Sequence, residues 1–305
     1  MGFLKKRMAR DKAKTNFVEA PPFPDKIIIE TINACNLKCV FCGVPELKEK
    51  VVKLDLDLAR QIIFDSYAAG AREIGFIGNG DSFLHPDFDK IVAFGKEAGF
   101  DYMYVTTNGV LADRATLEKL AENGLHSIRF SINAGDAETY AAIHGRDCFQ
   151  LVVNNLMAAI DIANQHKREG KNLTKVMVSS VVTPQSELGI MDFQKKIASI
   201  VDDFMLITEV NEQGAYRMDY KNECNFLFNL LKISSSGLAI PCCGCGHAML
   251  AIADLNNERV HDAWNNDVAR NMRRRFLNGD LSGTLCGVCL KHDEDNVQPL
   301  IPGIC

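Results

Sequence analysis

Several features are missing from this chain of 305 residues, and each absence closes a class of function. There is no basic surplus: 34 Lys and Arg stand against 39 Asp and Glu, a formal charge of -5, whereas a nucleic-acid surface shows as an excess of cations. No apolar run approaches the roughly 20 residues that span a bilayer, so no membrane is expected among the partners. The start, Met1-Gly2-Phe3-Leu4-Lys5-Lys6-Arg7, is charged but lacks the apolar h-region of a signal peptide, and Lys6 stands where N-myristoylation needs Ser or Thr. Without a secretion signal, the 11 cysteines argue for metal in a reducing compartment, and the odd count leaves a thiol over in any disulfide scheme. The expectation is a cytoplasmic metalloprotein.

The length allows about two domains. Residues 1–24 are basic and then Pro-rich (Pro21, Pro22, Pro24), which reads as a flexible N-terminal arm. Strand-like and helix-like segments then alternate. The run from Ile27 to Ile32 opens with the consecutive isoleucines that a strand covered on both faces needs. Helical spacing at 58–69, 88–98, 114–122, 150–166 and 191–200 is interleaved with apolar stretches at 73–77, 102–106, 127–132, 176–182 and 204–210. That order predicts an α/β fold in which residues 25–211 form a parallel sheet closed or nearly closed into a barrel. Gly78-Asn79-Gly80-Asp81, Asn108-Gly109 and Ser131 to Asn133 fall at the C-terminal ends of predicted strands, where barrel enzymes keep their active sites.

Cys35, Cys39 and Cys42 follow the first strand as Cys-x3-Cys-x2-Cys, with Phe41 before the last. A structural zinc site needs four closed ligands, so the trio fits zinc only with a distant fourth residue; an iron-sulfur cluster with one open iron fits it better. The octet from Cys35 to Cys42 resembles the signature of the radical S-adenosylmethionine (SAM) superfamily. Gly78-Asn79-Gly80-Asp81 with Leu84 to Phe88, Thr106-Thr107-Asn108-Gly109, and Ser131 to Ala134 extend that resemblance in order. It implies a partial (β/α)6 TIM-type barrel and a four-iron, four-sulfur cluster on the three thiolates, with SAM chelating the fourth iron. It also implies that Phe41 lies near the adenine, and that Gly78, Asn79, Gly80 and Asp81 face the SAM ammonium. Asn108, Ser131 and Asn133 complete the cofactor-binding set, the last two towards ribose or carboxylate. One departure stands out: the family's glycine-rich segment usually ends Gly-Glu-Pro, and here it is Gly80-Asp81-Ser82.

After about residue 212 the alternation stops. Cys224 precedes a hairpin pattern (Leu231 and Ile233, Ser235-Ser236-Gly237, Leu238 and Ile240), followed by Cys242, Cys243 and Cys245, a helix, and Cys286-x2-Cys289. In isolation such pairs suggest a zinc ribbon. Beside the first motif, residues 212–305 resemble the SPASM or twitch extension of the same superfamily, which implies one auxiliary iron-sulfur cluster on Cys224, Cys242, Cys286 and Cys289. Cys243 or Cys245 is the alternative to Cys242 as ligand. The helix carries Trp264, Val268, Met272 and Phe276 on one face, and Arg270 with Arg273 to Arg275 reads as a solvated basic end.

The resemblance implies reductive cleavage of SAM to a 5'-deoxyadenosyl radical that takes hydrogen from an unactivated C-H bond, with electrons from a flavodoxin- or ferredoxin-type donor. Two outcomes suit the chain: epimerisation with Cys243 or Cys245 as hydrogen donor, or dehydrogenation with the auxiliary cluster as electron acceptor. Arg146, Glu209 or a histidine is the candidate base. The twitch form is similar to that of aminoglycoside-tailoring enzymes, implying a small carbohydrate-like substrate. The alternative is a ribosomal-peptide maturase, although the short arm leaves no room for a leader-binding domain. A non-catalytic electron-transfer protein would leave the SAM motifs unexplained. Spacing does not rank His85, His126, His144 and His247, and Cys148 reads as an inert apolar thiol.

Overall fold

The computed structural model describes residues 3–43, 50–207, 224–242, 248–291 and 297–303. Six strands, β1 (Lys26–Ile29), β2 (Glu73–Phe76), β3 (Tyr102–Thr107), β4 (Ser127–Ser131), β5 (Lys175–Val181) and β6 (Asp203–Ile207), lie side by side in chain order and all pair in parallel. Parallel neighbours need a crossover, and here it is helical each time: α2 (Leu56–Ala69), α3 (Phe88–Ala98), α4 (Arg114–Glu122), α5 and α6 (Ala137–His144, Phe149–Glu169), and α7 (Glu187–Ile197). Helix boundaries follow local chemistry. Asp55 caps α2 by accepting from the Asp57 and Leu58 N–H groups, and α3 ends at left-handed Gly99.

Ile27 and Ile29, with Ile74, Phe76, Met103, Val105, Ile128, Phe130, Val176 and Val178, are buried in one core cluster. The first strand ends at Ile29, short of the run to Ile32 expected from the sequence. Glu30 and Thr31 continue it as buried polar residues, 3% and 1% exposed, a point that returns below.

The sheet does not end with the barrel. On its other side β1 pairs in parallel with β7 (Leu231–Ile233), Ile27 opposite Leu231 and Ile29 opposite Ile233. The hairpin strand β8 (Leu238–Ile240) and the short β9 (Ala253–Asp254) follow antiparallel, giving nine strands in the order β6-β5-β4-β3-β2-β1-β7-β8-β9. Helices α9 (Val260–Trp264) and α10 (Asp267–Leu277) come next, and α9 packs against α2. A second, smaller core gathers Leu227 and Phe228 of α8 (Phe226–Asn229) with Ile240, Leu250, Met272, Leu281 and Cys286.

Two expectations are corrected. The segment expected to be a flexible arm contains helix α1 (Phe3–Ala13), held across the N-terminal ends of the strands by charged and ring contacts. Arg7 pairs with Glu73 and lies 4.4 Å and 4.7 Å over the Tyr102 and Tyr104 rings; Arg10 reaches Glu73 at 2.8 Å, and Lys26 reaches Asp11 at 2.7 Å. Nor is Arg273 on a solvated face. It is 1% exposed, stacked 4.1 Å over Trp264, donating to Leu227 O and Asn265 Oδ1, and burial pushes its guanidinium down to about 10. Its neighbour Arg274 does face outward, paired with Glu19.

Candidate functional site: two cysteine sets on one sheet

The first cysteine set lies on the loop leaving β1. Two backbone bonds, Lys38 N–H to His144 O and Val40 N–H to Ile143 O, strap this loop to the C-terminal end of α5. The Asp81 N–H donates to Ala34 O, and Gly80 lies so close that a Cβ there would stand 2.3 Å from Ala34 O and 2.4 Å from Ile32 O. Only glycine permits that approach of two backbones. The three thiols perturb one another. Burial, then the neighbouring Cys42 and Cys35, push the Cys39 thiol up to about 12, and burial raises Cys35.

Thiols such as Cys35 and Cys39, which resist losing protons to water, become thiolates readily only on a strongly cationic centre. That donor chemistry fits an iron-sulfur cluster. Among the described residues no three acidic, histidine or cysteine side chains already close around a point. The fit therefore rests on donor type, order and mutual reach.

The other motif residues fall at the same end of the barrel, but several are occupied. Asp81 is 5% exposed; its Oδ2 accepts from the Thr107 hydroxyl and the Asn108 N–H, both at 2.8 Å, and its Oδ1 accepts from the Phe83 N–H. It knits the β2 loop to the end of β3. Asn133 is likewise 3% exposed and accepts from the Val181 N–H at 2.8 Å, which ties it to β5. The Asn108 amide points back to the cysteine loop, donating to Asn36 Oδ1 at 2.7 Å with Cys35 Sγ at 3.6 Å. Phe41 packs against the barrel core, and Ser131 is half-buried at the end of β4. Gly78 and Asn79 remain as backbone at the mouth, and the Asn79 N–H is held by Glu30 Oε2 at 2.7 Å.

Glu30 was not singled out from the sequence. Its carboxylate also meets Lys232 Nζ of β7 at 3.2 Å and accepts from the Ser235 N–H and hydroxyl, so one buried group joins β1, the β2 loop and the hairpin of the second region. Gly78 is glycine because a Cβ there would lie 2.2 Å from Glu30 Cγ. A charge at the end of an isoleucine run was the available signal. Asn155, which donates to Gly109 O at 2.8 Å and steadies the Thr107-Asn108-Gly109 turn, carried none.

The histidines separate. His85 is buried with Nε2 on Leu54 O and Nδ1 accepting from the Asp87 N–H, a satisfied structural residue. His126 precedes β4, at the opposite end of the strands, where its Nδ1 accepts from the Met103 N–H. His144 lies against the cysteine loop with Nδ1 3.0 Å from Cys39 Sγ, and burial pushes its imidazole down to about 4. Arg146, just beyond left-handed Gly145, is exposed. Cys148 is buried in the barrel core.

The second set meets at the smaller core. Cys286 and Cys289 share one face of α11 (Leu285–Lys291) by their spacing of three, Cys286 sits in that core, and Cys242 packs against it. Cys224 stands just before α8, and its thiol is raised by burial and then by Cys289. Cys242 and Cys286 thus share the small apolar core, while Cys224 is half-buried and Cys289 is exposed beside it. Cys243, Cys245, Glu209, Asn211, Tyr216 and His247 lie outside the described residues.

Two family models match the chain: the radical SAM superfamily over residues 29–173 and the SPASM iron-sulfur cluster-binding domain over residues 224–290. Among curated proteins, a GTP 3',8-cyclase of Chlorobaculum tepidum is 35% identical over 129 residues, 42% of this chain and 38% of that protein. The chain spans only 38% to 60% of the length of the first such relatives. Among solved structures, Streptococcus suis SuiB bound to S-adenosylmethionine superposes with a TM-score of 0.66 at 18% identity, covering 88% of this chain and 71% of SuiB. BtrN in complex with AdoMet and 2-DOIA gives 0.54 at 17%, covering 85% and 89%. At such identities these structures speak for the fold alone. No helix among the described residues is long and apolar enough to cross a membrane.

Proposed function

Since this chain belongs to the radical SAM superfamily and carries a SPASM domain after its barrel, we propose that it dehydrogenates a small carbohydrate-like or aminoglycoside-like molecule. The two domains imply a SAM-binding four-iron, four-sulfur cluster, SAM itself, and an auxiliary iron-sulfur centre. When bound, this pair supplies the one-electron cleavage of SAM that generates a radical able to take hydrogen from an unactivated C-H bond. The rest falls to the protein. Cys35, Cys39 and Cys42 hold the first centre, and Cys224, Cys242, Cys286 and Cys289 the second. The Gly78–Asn79 backbone and Ser131 line the mouth of the barrel, and Phe41 sits beside the cysteines.

The observation that carries this reading is the pairing of β7 with β1. Both cysteine sets hang from one continuous sheet, so their separation is set by backbone hydrogen bonds and not by a hinge. A fixed separation suits an auxiliary centre that accepts the second electron as an alcohol becomes a ketone, with the proton passing to Glu209 or a histidine and Arg146 as a cationic contact to the developing oxyanion. Epimerisation by a thiol of Cys243 or Cys245 is the variant in which no net oxidation occurs. A peptide substrate is the second reading, supported by the same fold in SuiB, which has been solved bound to its precursor peptide SuiA. The electron donor in either case is a flavodoxin- or ferredoxin-type protein.

The test is turnover of anaerobically reconstituted protein with selectively deuterated sugars and peptides. Deuterium in 5'-deoxyadenosine, with one oxidised product per SAM cleaved, is the expected result. Solvent hydrogen incorporated without oxidation moves the reading to epimerisation, and deuterium transfer from peptides alone moves it to maturation. Absence of SAM cleavage under strong reductant sinks all three.

A further inference from the structure

His144 ends α5 with its ring 1% exposed and stacked on Tyr140, the ring centroids 4.1 Å apart. Its carbonyl accepts from the Lys38 N–H, so backbone and ring are both fixed against the cysteine loop. Each ring nitrogen has one neighbour. Nδ1 is 3.0 Å from Cys39 Sγ, and Nε2 is 3.4 Å from Asn133 Nδ2.

Which nitrogen carries the proton follows from the far end of this chain of contacts. The Val181 N–H donates to Asn133 Oδ1 at 2.8 Å, so the carbonyl end of that amide faces β5 and its NH2 end faces His144. An NH2 group only donates; Nε2 must therefore be the bare, accepting nitrogen. A neutral imidazole has one proton, which is then on Nδ1 and directed at the Cys39 sulfur.

We propose that His144 is a positioning residue for the cluster ligand Cys39, donating an Nδ1–H hydrogen bond to its thiolate, in a tautomer imposed by Asn133, and thereby raising the reduction potential of the SAM-binding centre. The inference rests on the superfamily reading above. A donor to a ligand sulfur stabilises the more negative, reduced state more than the oxidised one, so it moves the potential upward. Cys35 receives a backbone hydrogen bond from Leu37 and a longer contact from the Asn108 amide, at 3.6 Å, and neither comes from an imidazole, so Cys35 and Cys39 are not equivalent. Because Asn133 and His144 are both buried, water does not substitute readily for either partner.

Two measurements test this. In cluster-free protein labelled with 15N-histidine, His144 should show the Nδ1-protonated tautomer; an Nε2-protonated ring overturns the proposal. In reconstituted protein, potentiometric EPR titration of the signal that responds to SAM should give a more negative midpoint for His144→Phe, which keeps the stack on Tyr140 without the donor. His144→Gln, which can still present an N–H, should restore part of the shift. An unchanged midpoint in a folded His144→Phe protein overturns the proposal, and if that variant assembles no cluster the tautomer decides. A wild-type protein that loads no iron on Cys35, Cys39 and Cys42 removes the superfamily reading itself, a result that the tautomer measurement does not mimic.

Discussion

Glu30→Gln is expected to lower the stability of the cluster-free protein by about 4 kcal/mol. The Glu30 carboxylate lies 3.2 Å from Lys232 Nζ, with side chains 3% and 5% exposed. At an effective dielectric near 20, two unit charges at that distance attract by about 5 kcal/mol. Removing one partner of a buried pair costs about 3–5 kcal/mol, because the survivor is left charged and without a counter-ion. Glutamine keeps the shape and part of the hydrogen bonding to Asn79 and Ser235, which narrows the loss to the charge. With a urea slope of about 3 kcal/mol/M for a chain of this size, the midpoint should fall by about 1.3 M. Trp264 is the only tryptophan, so its fluorescence reports the SPASM end while circular dichroism reports the whole; coincident curves establish one transition. Adding Lys232→Met removes the stranded ammonium and should recover at least half of the loss. A single-variant cost below about 1 kcal/mol, or a double variant whose cost is the sum of the two singles, refutes the reasoning.

Gly80→Ala should displace the cysteine loop, since its Cβ would meet Ala34 O at 2.3 Å, backbone that cannot swing away. Iron bound at the Cys35 set should fall severalfold by Mössbauer quantitation while auxiliary iron persists. Cys289→Ala should remove about one cluster's iron and leave SAM cleavage uncoupled from product, read as 5'-deoxyadenosine without oxidised substrate. His126 is held below the ordinary histidine value by burial and then by Lys175, and its Nδ1 accepts from the Met103 N–H, so the fold prefers the neutral ring. Its contribution is intact above the unfolded histidine value of about 6.5 and is lost as pH falls from there through the lower folded value. His126→Gln should therefore flatten the loss of melting temperature between about pH 7 and 5; an unchanged slope rejects this.

The barrel and its site were legible where the signal is local. Consecutive isoleucines, cysteine spacing and glycine-rich strand ends each mark their own position. What was not legible depends on partners far along the chain. Asp81 was expected from the family resemblance to face SAM, and its bonds from Thr107 and the Asn108 N–H are ones that no local pattern reveals. Asn133 is the same case: its bond from the Val181 N–H is not written in the residues around it. Helix α1 has little apolar periodicity because ionic and cation–π contacts hold it. Arg273 shares a basic run with exposed neighbours, yet its position on α10 turns it onto Trp264. The pairing of β7 with β1 joins residues about two hundred positions apart, and hydrophobic spacing says nothing about such a partner.

That pairing has a consequence for the life of the nascent chain. β1 precedes the other described strands in synthesis, and one of its hydrogen-bonding edges is matched only when Leu231 to Ile233 arrive. Until then an isoleucine strand presents an open ladder, the kind of edge that recruits other chains. A fragment ending after β6 would keep that edge exposed for good, and should accumulate as aggregate even though every barrel strand is present. The SPASM hairpin thus acts as a late plank that seals an early one, and synthesis past Ile233 is itself a requirement for a barrel that stays monodisperse.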